Sequence, residues 1–444
     1  MNISKRCLAS LLAVSFLLPT LASCSSSDTA SGSTTEDTSL TSESVVTDSQ
    51  EEEINVDALL AENVYAQAGL ELLLQTCSTY YVLRTHTLKT DLSNSGQTTV
   101  WPATAYLESL AEGYRLFPEN ETIKKYYVDM LDYGLAKYLV TGATLSTPSG
   151  RYKNITYYNA GAGTQGDYYY DDNAWICIQL FNAYTLLGDS KYLEQAEKLL
   201  TFFWTGWDEV YGGGIYWDKT YSGRKGICTN GPITISYLLG YKMTGNEEYL
   251  EKALLIYNWI ENSGIKNSNN CYHAGISDTD RDNWVAAYDQ GTMMTASTLL
   301  YELTGEKEYL TNAKNTASGS ISLMFTTSGR RGNLTVTMNG NPIFRSWCIG
   351  WILRGILSYY CDKTSKSNVF MEYFEQVMDK TLETKTEDGW YDPYFCSGDW
   401  SSESTDDVMQ PAGTATCLFL AATFDLYGNW TGICQGSTTS SESE

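Results

Sequence analysis

The chain is predicted to be all-α, an (α/α)6 barrel in which helical hairpins close into a toroid, and three observations predict it. A joint of the form Thr/Leu-Gly-x-x-x-Tyr-Leu recurs at Gly188, Gly245 and Gly305, about sixty residues apart. The segment before a joint is apolar on nearly every side, whereas the segment after it carries one apolar stripe. Finally, Asp-, Asn- or Pro-marked helix starts fall at matching intervals along the chain.

The elements follow in order from the N-terminus. Lys5 and Arg6 precede an apolar run over 7–21, too short to span a bilayer, which closes on Leu21-Ala22-Ser23-Cys24. That ending reads as a bacterial lipobox. Residues 1–23 are expected to be a lipoprotein signal peptide, and acylation of Cys24 is expected to hold the protein on a bilayer. The expected location is the bacterial cell envelope, outside the cytoplasm. Residues 24–53 are nearly all Ser, Thr, Asp, Glu, Gly and Ala, a composition that buries too little apolar surface to fold. They read as a flexible tether, and 436–444 as a tail of the same kind. Between them, 54–435 has no Pro/Gly/Ser-rich break and is predicted to be one domain, acting as a monomer.

Each joint is read as helix, turn, helix. Its glycine takes the positive φ that ends one helix, and the polar residue after it caps the next. Beyond the first joint, Tyr192, Ala196, Leu199 and Phe203 recur at helical spacing with Lys and Glu between them, which makes a half-buried outer helix. Before it, 173–187 places Cys177, Leu180, Tyr184 and Leu187 on one face and Trp175, Ile178 and Phe181 on another, which makes a fully buried inner helix. An open superhelix is the alternative, but its repeats are usually shorter. The inner-helix starts are placed at Trp101-Pro102, Asp171-Asp172-Asn173, Asn230-Gly231-Pro232, Tyr288-Asp289-Gln290-Gly291, Phe344 to Trp347, and Gln410-Pro411. Their loops should converge on one polar, ring-lined mouth.

Composition narrows the chemistry. A formal net charge of -24 repels nucleic acid and acidic polymers, which leaves a neutral partner. With two histidines, His86 and His273, and neither HExxH nor CxxC, a Ser/His/Asp triad, a zinc centre or any other metal or cofactor is not expected. The 34 Tyr and 12 Trp supply flat rings with polar edges, suited to stacking on sugar faces or to packing between helices. Eleven cysteines, less Cys7 and Cys24, leave nine without regular spacing, so no disulfide framework is assigned.

Asp171-Asp172 is the pair that could carry catalysis. Retaining glycosidases use two carboxyl groups about 5–5.5 Å apart, one attacking the anomeric carbon while the other protonates the leaving oxygen. Crowding two carboxylates also raises the pKa of one, so that it stays an acid near neutrality. On residues alone, a helix cap with dipole complementarity is the competing reading.

Tyr169-Tyr170-Asp171-Asp172-Asn173-Ala174-Trp175, Gly212-Gly213-Gly214-Ile215-Tyr216-Trp217, Thr229-Asn230-Gly231-Pro232, Tyr288-Asp289-Gln290-Gly291 and the joints together resemble glycoside hydrolase family 76, from about Trp101 to about Gly413. The resemblance implies an (α/α)6 fold, retention of anomeric configuration and action on α-1,6-linked mannan. It implies Asp171 as nucleophile and Asp172 as acid/base, with Trp101, Tyr170, Asn173, Trp175, Trp217, Asn230, Gly231, Tyr288, Gln290 and Trp347 as substrate contacts. Two positions depart from the pattern: Asp289 stands where Asn is expected, and Phe344-Arg345-Ser346-Trp347 replaces a Phe-Lys-Gly-like segment. A mannan transglycosidase and a non-catalytic, glycan-binding surface lipoprotein are the alternative functions.

Overall fold

The computed structural model of the chain describes residues 62–93, 96–163, 166–277, 284–328, 345–360, 369–393 and 407–427, with residue 60 and short pieces at 2–4, 53–55, 281–282 and 333–336. Most of the expected signal peptide, Cys24, most of the tether, the C-terminal tail and Phe344 lie outside the described residues.

Twelve α-helices are present among the described residues: α1 (Val64–Tyr80), α2 (Val100–Leu116), α3 (Glu121–Asp129), α4 (Tyr170–Leu187), α5 (Ser190–Trp204), α6 (Ile227–Thr244), α7 (Glu247–Asn262), α8 (Ala287–Thr304), α9 (Lys307–Met324), α10 (Ser346–Tyr360), α11 (Val369–Glu383) and α12 (Met409–Tyr427). The even-numbered helices form an inner ring. Each touches the next, and α12 touches α2, so the ring closes and the open superhelix is ruled out. The odd-numbered helices lie outside, α3 to α9 each against the inner helix before it, while the first helix, α1, packs on the last, α12.

Side-chain pattern decides which ring a helix joins. Of α4, Tyr170 and the whole run Asn173 to Ala183 are buried, as an all-round apolar helix requires; the predicted Tyr184 and Leu187 end half-buried at the far rim. In α5 the buried set is one face, with Tyr192, Ala196, Leu199 and Phe203 as predicted and Leu200 and Phe202 besides. Inner helices approach closely through small residues. A Cβ on Gly291 would lie 2.1 Å from the Trp351 carbonyl oxygen of α10.

The joints match their reading with one exception. Gly188, Gly245 and Gly305 close their helices at φ of 73°, 70° and 74°. Asp189 and Asn246 cap the next helix through their side chains, but Glu306 at the third joint does not. Glutamate is too long for the short Asx geometry and falls outside the preferred N-cap set. Two boundaries also move. Helix α4 starts at Tyr170 rather than behind Asn173, and α6 starts at Ile227, so Pro232 sits inside the helix, not in its first turn.

Among the described residues sheet structure is minor and, apart from a short pair at Asn2–Ser4 and Glu53–Asn55, lies in connections. An antiparallel hairpin, β1 (Leu139–Thr147) with β2 (Gly150–Tyr158), fills the long α3–α4 connection. A small sheet joins β3 (Lys225–Gly226), β4 (Gly275–Ile276) and β5 (Arg281–Asp282) beside the start of α6.

Candidate active site

Because an outer helix returns the chain between successive inner helices, the inner helices run parallel and their N-termini gather at one mouth. Asp171 and Asp172 are the second and third residues of α4, in its first turn. They are not the cap: Tyr169 is, and its side chain makes no capping bond. Both aspartates are half-buried. Asp171 accepts the Asp172 backbone N–H on Oδ1 at 3.0 Å and the Trp217 indole N–H on Oδ2 at 2.8 Å.

These surroundings push the two carboxyls up by different amounts. Burial raises Asp171 to about 7, opposed by the Trp217 indole, the backbone amides of Asp172 and Asp171, and the nearby Arg224 guanidinium. Burial raises Asp172 well above its ordinary value as well, and there the negative charges of Asp171 and Asp167 add to the shift. The donors therefore favour charge on Asp171, while the neighbouring carboxylate keeps the proton on Asp172. One surface thus presents a carboxylate beside a carboxylic acid.

Trp217 reaches Asp171 because its loop is tightly held. Its backbone C=O accepts the Tyr170 N–H at 2.9 Å, and its N–H donates to the Arg224 C=O at 3.3 Å. Upstream, the chain lies flat on two indoles. A Cβ on Gly213 would come within 2.9 Å of Trp207, and one on Gly214 within 2.8 Å of Trp259; both residues have positive φ. The indole of Trp217 itself remains 38% exposed and leans on Tyr169, 4.9 Å between ring centroids.

Five of the expected substrate contacts have other work, and those expectations are corrected. Asn173, Asn230 and Gln290 occupy equivalent places in α4, α6 and α8, and each is fully buried. The amide oxygen of each accepts a loop N–H, from Tyr158, Ile215 and Tyr272 respectively, at 2.7 to 2.8 Å. The amide nitrogen donates back to the same residue's C=O at 2.9 Å, and to the carbonyl four residues upstream at 2.8 to 3.0 Å. With both ends engaged by backbone, these amides clamp the connecting loops. Tyr170 is likewise buried, stacked on Phe202 and bonded to Thr205 Oγ1 at 2.9 Å. Gly231 is a packing residue: a Cβ there would meet Thr292 Oγ1 at 2.6 Å.

The remaining expected rings do cluster. Trp347 stands edge-on to Trp101 and Trp175, with centroids 5.6 and 4.9 Å away, and 5.7 Å from Tyr288. Trp175 and Trp347 are buried, whereas Trp101 and Tyr288 are half-buried, so the first pair makes a floor and the second pair its exposed edge. The floor rests on charge. The Trp347 indole donates to Glu108 at 3.1 Å, Arg354 pairs with Glu108 and Glu112 at 3.0 and 2.8 Å, and Glu112 also pairs with Arg115. A cavity of about 50 Å³ follows the axis beneath, lined by Glu108, Arg115 and Arg354 together with Gln179, Asn182 and Trp351.

Several of these groups escaped the sequence reading. Glu108 and Glu112 left a readable sign, two acids one turn apart in a helix whose only other charge is Arg115. Arg224 and Lys225 form a basic pair just before an inner helix in an acidic chain. Trp284, 37% exposed and 6.5 Å from Tyr288, adds an indole to the mouth from a loop without a motif.

Comparison with known proteins agrees with this geometry. The family model described as glycosyl hydrolase family 76 matches residues 66–424. Among solved structures, a family 76 glycoside hydrolase from a bovine Bacteroides thetaiotaomicron strain superposes with a TM-score of 0.70 at 19% identity, covering 84% of this chain and 80% of that one. A family 76 α-mannanase of Bacteroides thetaiotaomicron gives 0.69 at 20% identity, over 84% of this chain and 100% of that one. An inactive variant of an α-1,6-mannanase of Salegentibacter sp., with two consecutive aspartates changed to asparagine, is solved with α-1,6-mannotriose; it gives 0.63 at 21% identity, over 81% and 99%. No curated protein matches the chain.

Proposed function

Since the chain belongs to glycoside hydrolase family 76 and is a glycoside hydrolase, we propose that it cleaves α-1,6-linked mannan with retention of configuration, using Asp171 as nucleophile and Asp172 as acid/base. The observation that carries this reading is the opposite environment of the two neighbours. Asp171 is supplied with an indole N–H, a backbone N–H and a nearby guanidinium, and Asp172 with negative charge. The loss of activity on changing two consecutive aspartates in the Salegentibacter sp. mannanase supports it.

In the first step a carboxylate oxygen of Asp171 forms a bond to the anomeric carbon. The bond from that carbon to the bridging oxygen breaks, and the Asp172 proton passes to the departing sugar. In the second step Asp172, now a carboxylate, takes a proton from water. The hydroxide so generated bonds to the anomeric carbon and releases Asp171. The Trp217 indole, already on Oδ2, aims the nucleophile, while the half-buried Trp101 and Tyr288 offer rings to the sugar faces. The net negative chain leaves a neutral polymer as the fitting substrate.

Replacing Asp171 or Asp172 with Asn is expected to cut reducing-end release from purified α-1,6-mannan by about a thousandfold or more, with the helical circular dichroism spectrum unchanged. Activity within tenfold of the parent in either variant would reject the assignment. The leader motif supports a second part of the proposal, namely that the enzyme acts from the cell envelope, anchored through acylated Cys24.

A further inference from the structure

Lys225 is fully buried in a protein with few cations, and its surroundings resemble those of a bound metal ion. Its Nζ is 2.5 Å from Asp208 Oδ1 and 3.0, 2.9 and 2.8 Å from the carbonyl oxygens of Asp208, Val210 and Gly213. The Tyr216 ring lies beneath, 4.5 Å from Nζ to centroid. An ammonium has three N–H donors, so four oxygens and a ring face exceed what it can bond singly. The excess marks a cage of oxygens around a positive charge, as hard cations gather carbonyls and carboxylates.

The caged oxygens belong to the strip that ends at Trp217. Residues 208–213 wrap the ammonium, Gly213 and Gly214 press on Trp207 and Trp259, Asn230 holds Ile215, and Trp217 then bonds Asp171. At its other end Lys225 follows Arg224, whose carbonyl receives the Trp217 N–H. The ammonium therefore closes the strip onto the β3 backbone that carries it.

We infer that Lys225 is a positioning residue for the reaction proposed above: its ammonium takes the place of a structural cation, gathering residues 208–213 so that the Trp217 indole is set against Asp171. This inference rests on that reaction for its kinetic consequence, though not for the cage itself. Burial pulls the Lys225 ammonium below its usual range, and Asp208 and Glu209 oppose that shift and keep it charged. The charged and titratable groups that act on Asp171 are Asp172 and Arg224, with Tyr169, Cys228 and Tyr288 beside them.

The test is removal and chemical rescue. Lys225→Ala deletes the equivalent of propylamine and should lower kcat/KM on α-1,6-mannan by about a hundredfold, the effect expected of a misplaced catalytic contact. Propylammonium chloride should restore at least about tenfold of it, while sodium chloride at equal ionic strength should not. The acidic limb of the pH profile should move to higher pH, because Asp171 loses the indole N–H that favours its charged form. Combining Lys225→Ala with Trp217→Phe should move that limb no further than Trp217→Phe alone. If Lys225→Ala does not fold, Asp208→Asn, which leaves all three carbonyls in place, should move the limb in the same direction. A readout without turnover separates this inference from the reaction: the fluorescence difference between protein with and without Trp217 should titrate with Asp171, at a higher midpoint in the Lys225 or Asp208 variant. An unmoved limb and an unmoved midpoint in the folded variant would overturn the inference. Absence of mannan cleavage by the parent protein, with the midpoint shift present, would overturn the reaction and leave the cage standing.

Discussion

Asp171 and Asp172 differ only in what surrounds them, and that difference is enough to give two identical side chains two roles. Both are pushed up by burial, but hydrogen-bond donors restrain the first and a neighbouring charge drives the second further. Holding them in the fold costs stability. A carboxyl raised from 3.8 to about 7 binds its proton more tightly in the folded than in the unfolded chain, so folding gains are full below about pH 4 and lost as pH rises through 7. Asn at position 171 does not titrate. Asp171→Asn is therefore expected to be more stable than the parent at pH 8, by about 1–2 kcal/mol once the ceiling set by the shift is discounted for solvent access. The advantage should shrink towards pH 4. Thermal denaturation across that range reads it, and a variant less stable at pH 8 would show that the carboxylate is held favourably instead.

At the scale of elements, one device recurs. In α4, α6 and α8, an amide three or four residues into the helix reaches out to both polar atoms of one residue in the preceding loop. Each clamp satisfies a buried loop backbone and fixes its approach to the mouth. Asn230→Ala leaves the Ile215 N–H and C=O buried without that partner and should cost about 2–4 kcal/mol, seen as a lower midpoint in urea. A change below about 0.5 kcal/mol would mean the loop is held otherwise. These clamps explain why part of the site was misread from sequence. Asn173, Asn230 and Gln290 stood in motifs beside Asp171 and Asp172, and motif membership does not say which way a side chain turns. The joints were legible because glycine, cap and stripe are all local signals. Lys225 was not, because three of the four oxygens around its ammonium are backbone carbonyls, which leave no mark in a sequence. The β1–β2 hairpin was missed for another reason: its alternation is interrupted by register shifts near Ala143, which break the period.

The whole molecule is a ring whose ends meet. Helix α1 packs on α12 and α12 on α2, so the last hairpin is completed by the first helix of the chain. If Cys24 carries the anchor, Cys24→Ser should release the protein from the membrane fraction into the soluble fraction of a producing cell without lowering its specific activity. Membrane retention of that variant would count against the anchor. Ring closure also places the six inner N-termini around one opening, where the aspartates of α4 and the exposed indoles of Trp217 and Trp284 meet the solvent above the buried floor of Trp175 and Trp347.

A double displacement at Asp171 fixes which anomer leaves the site, and proton NMR of the sugar first released from purified α-1,6-mannan reads it. With a double displacement the α-anomer appears first and the β-anomer only later by mutarotation. Initial release of the β-anomer would mean that water attacks in a single step, which would remove Asp171 from its role as nucleophile.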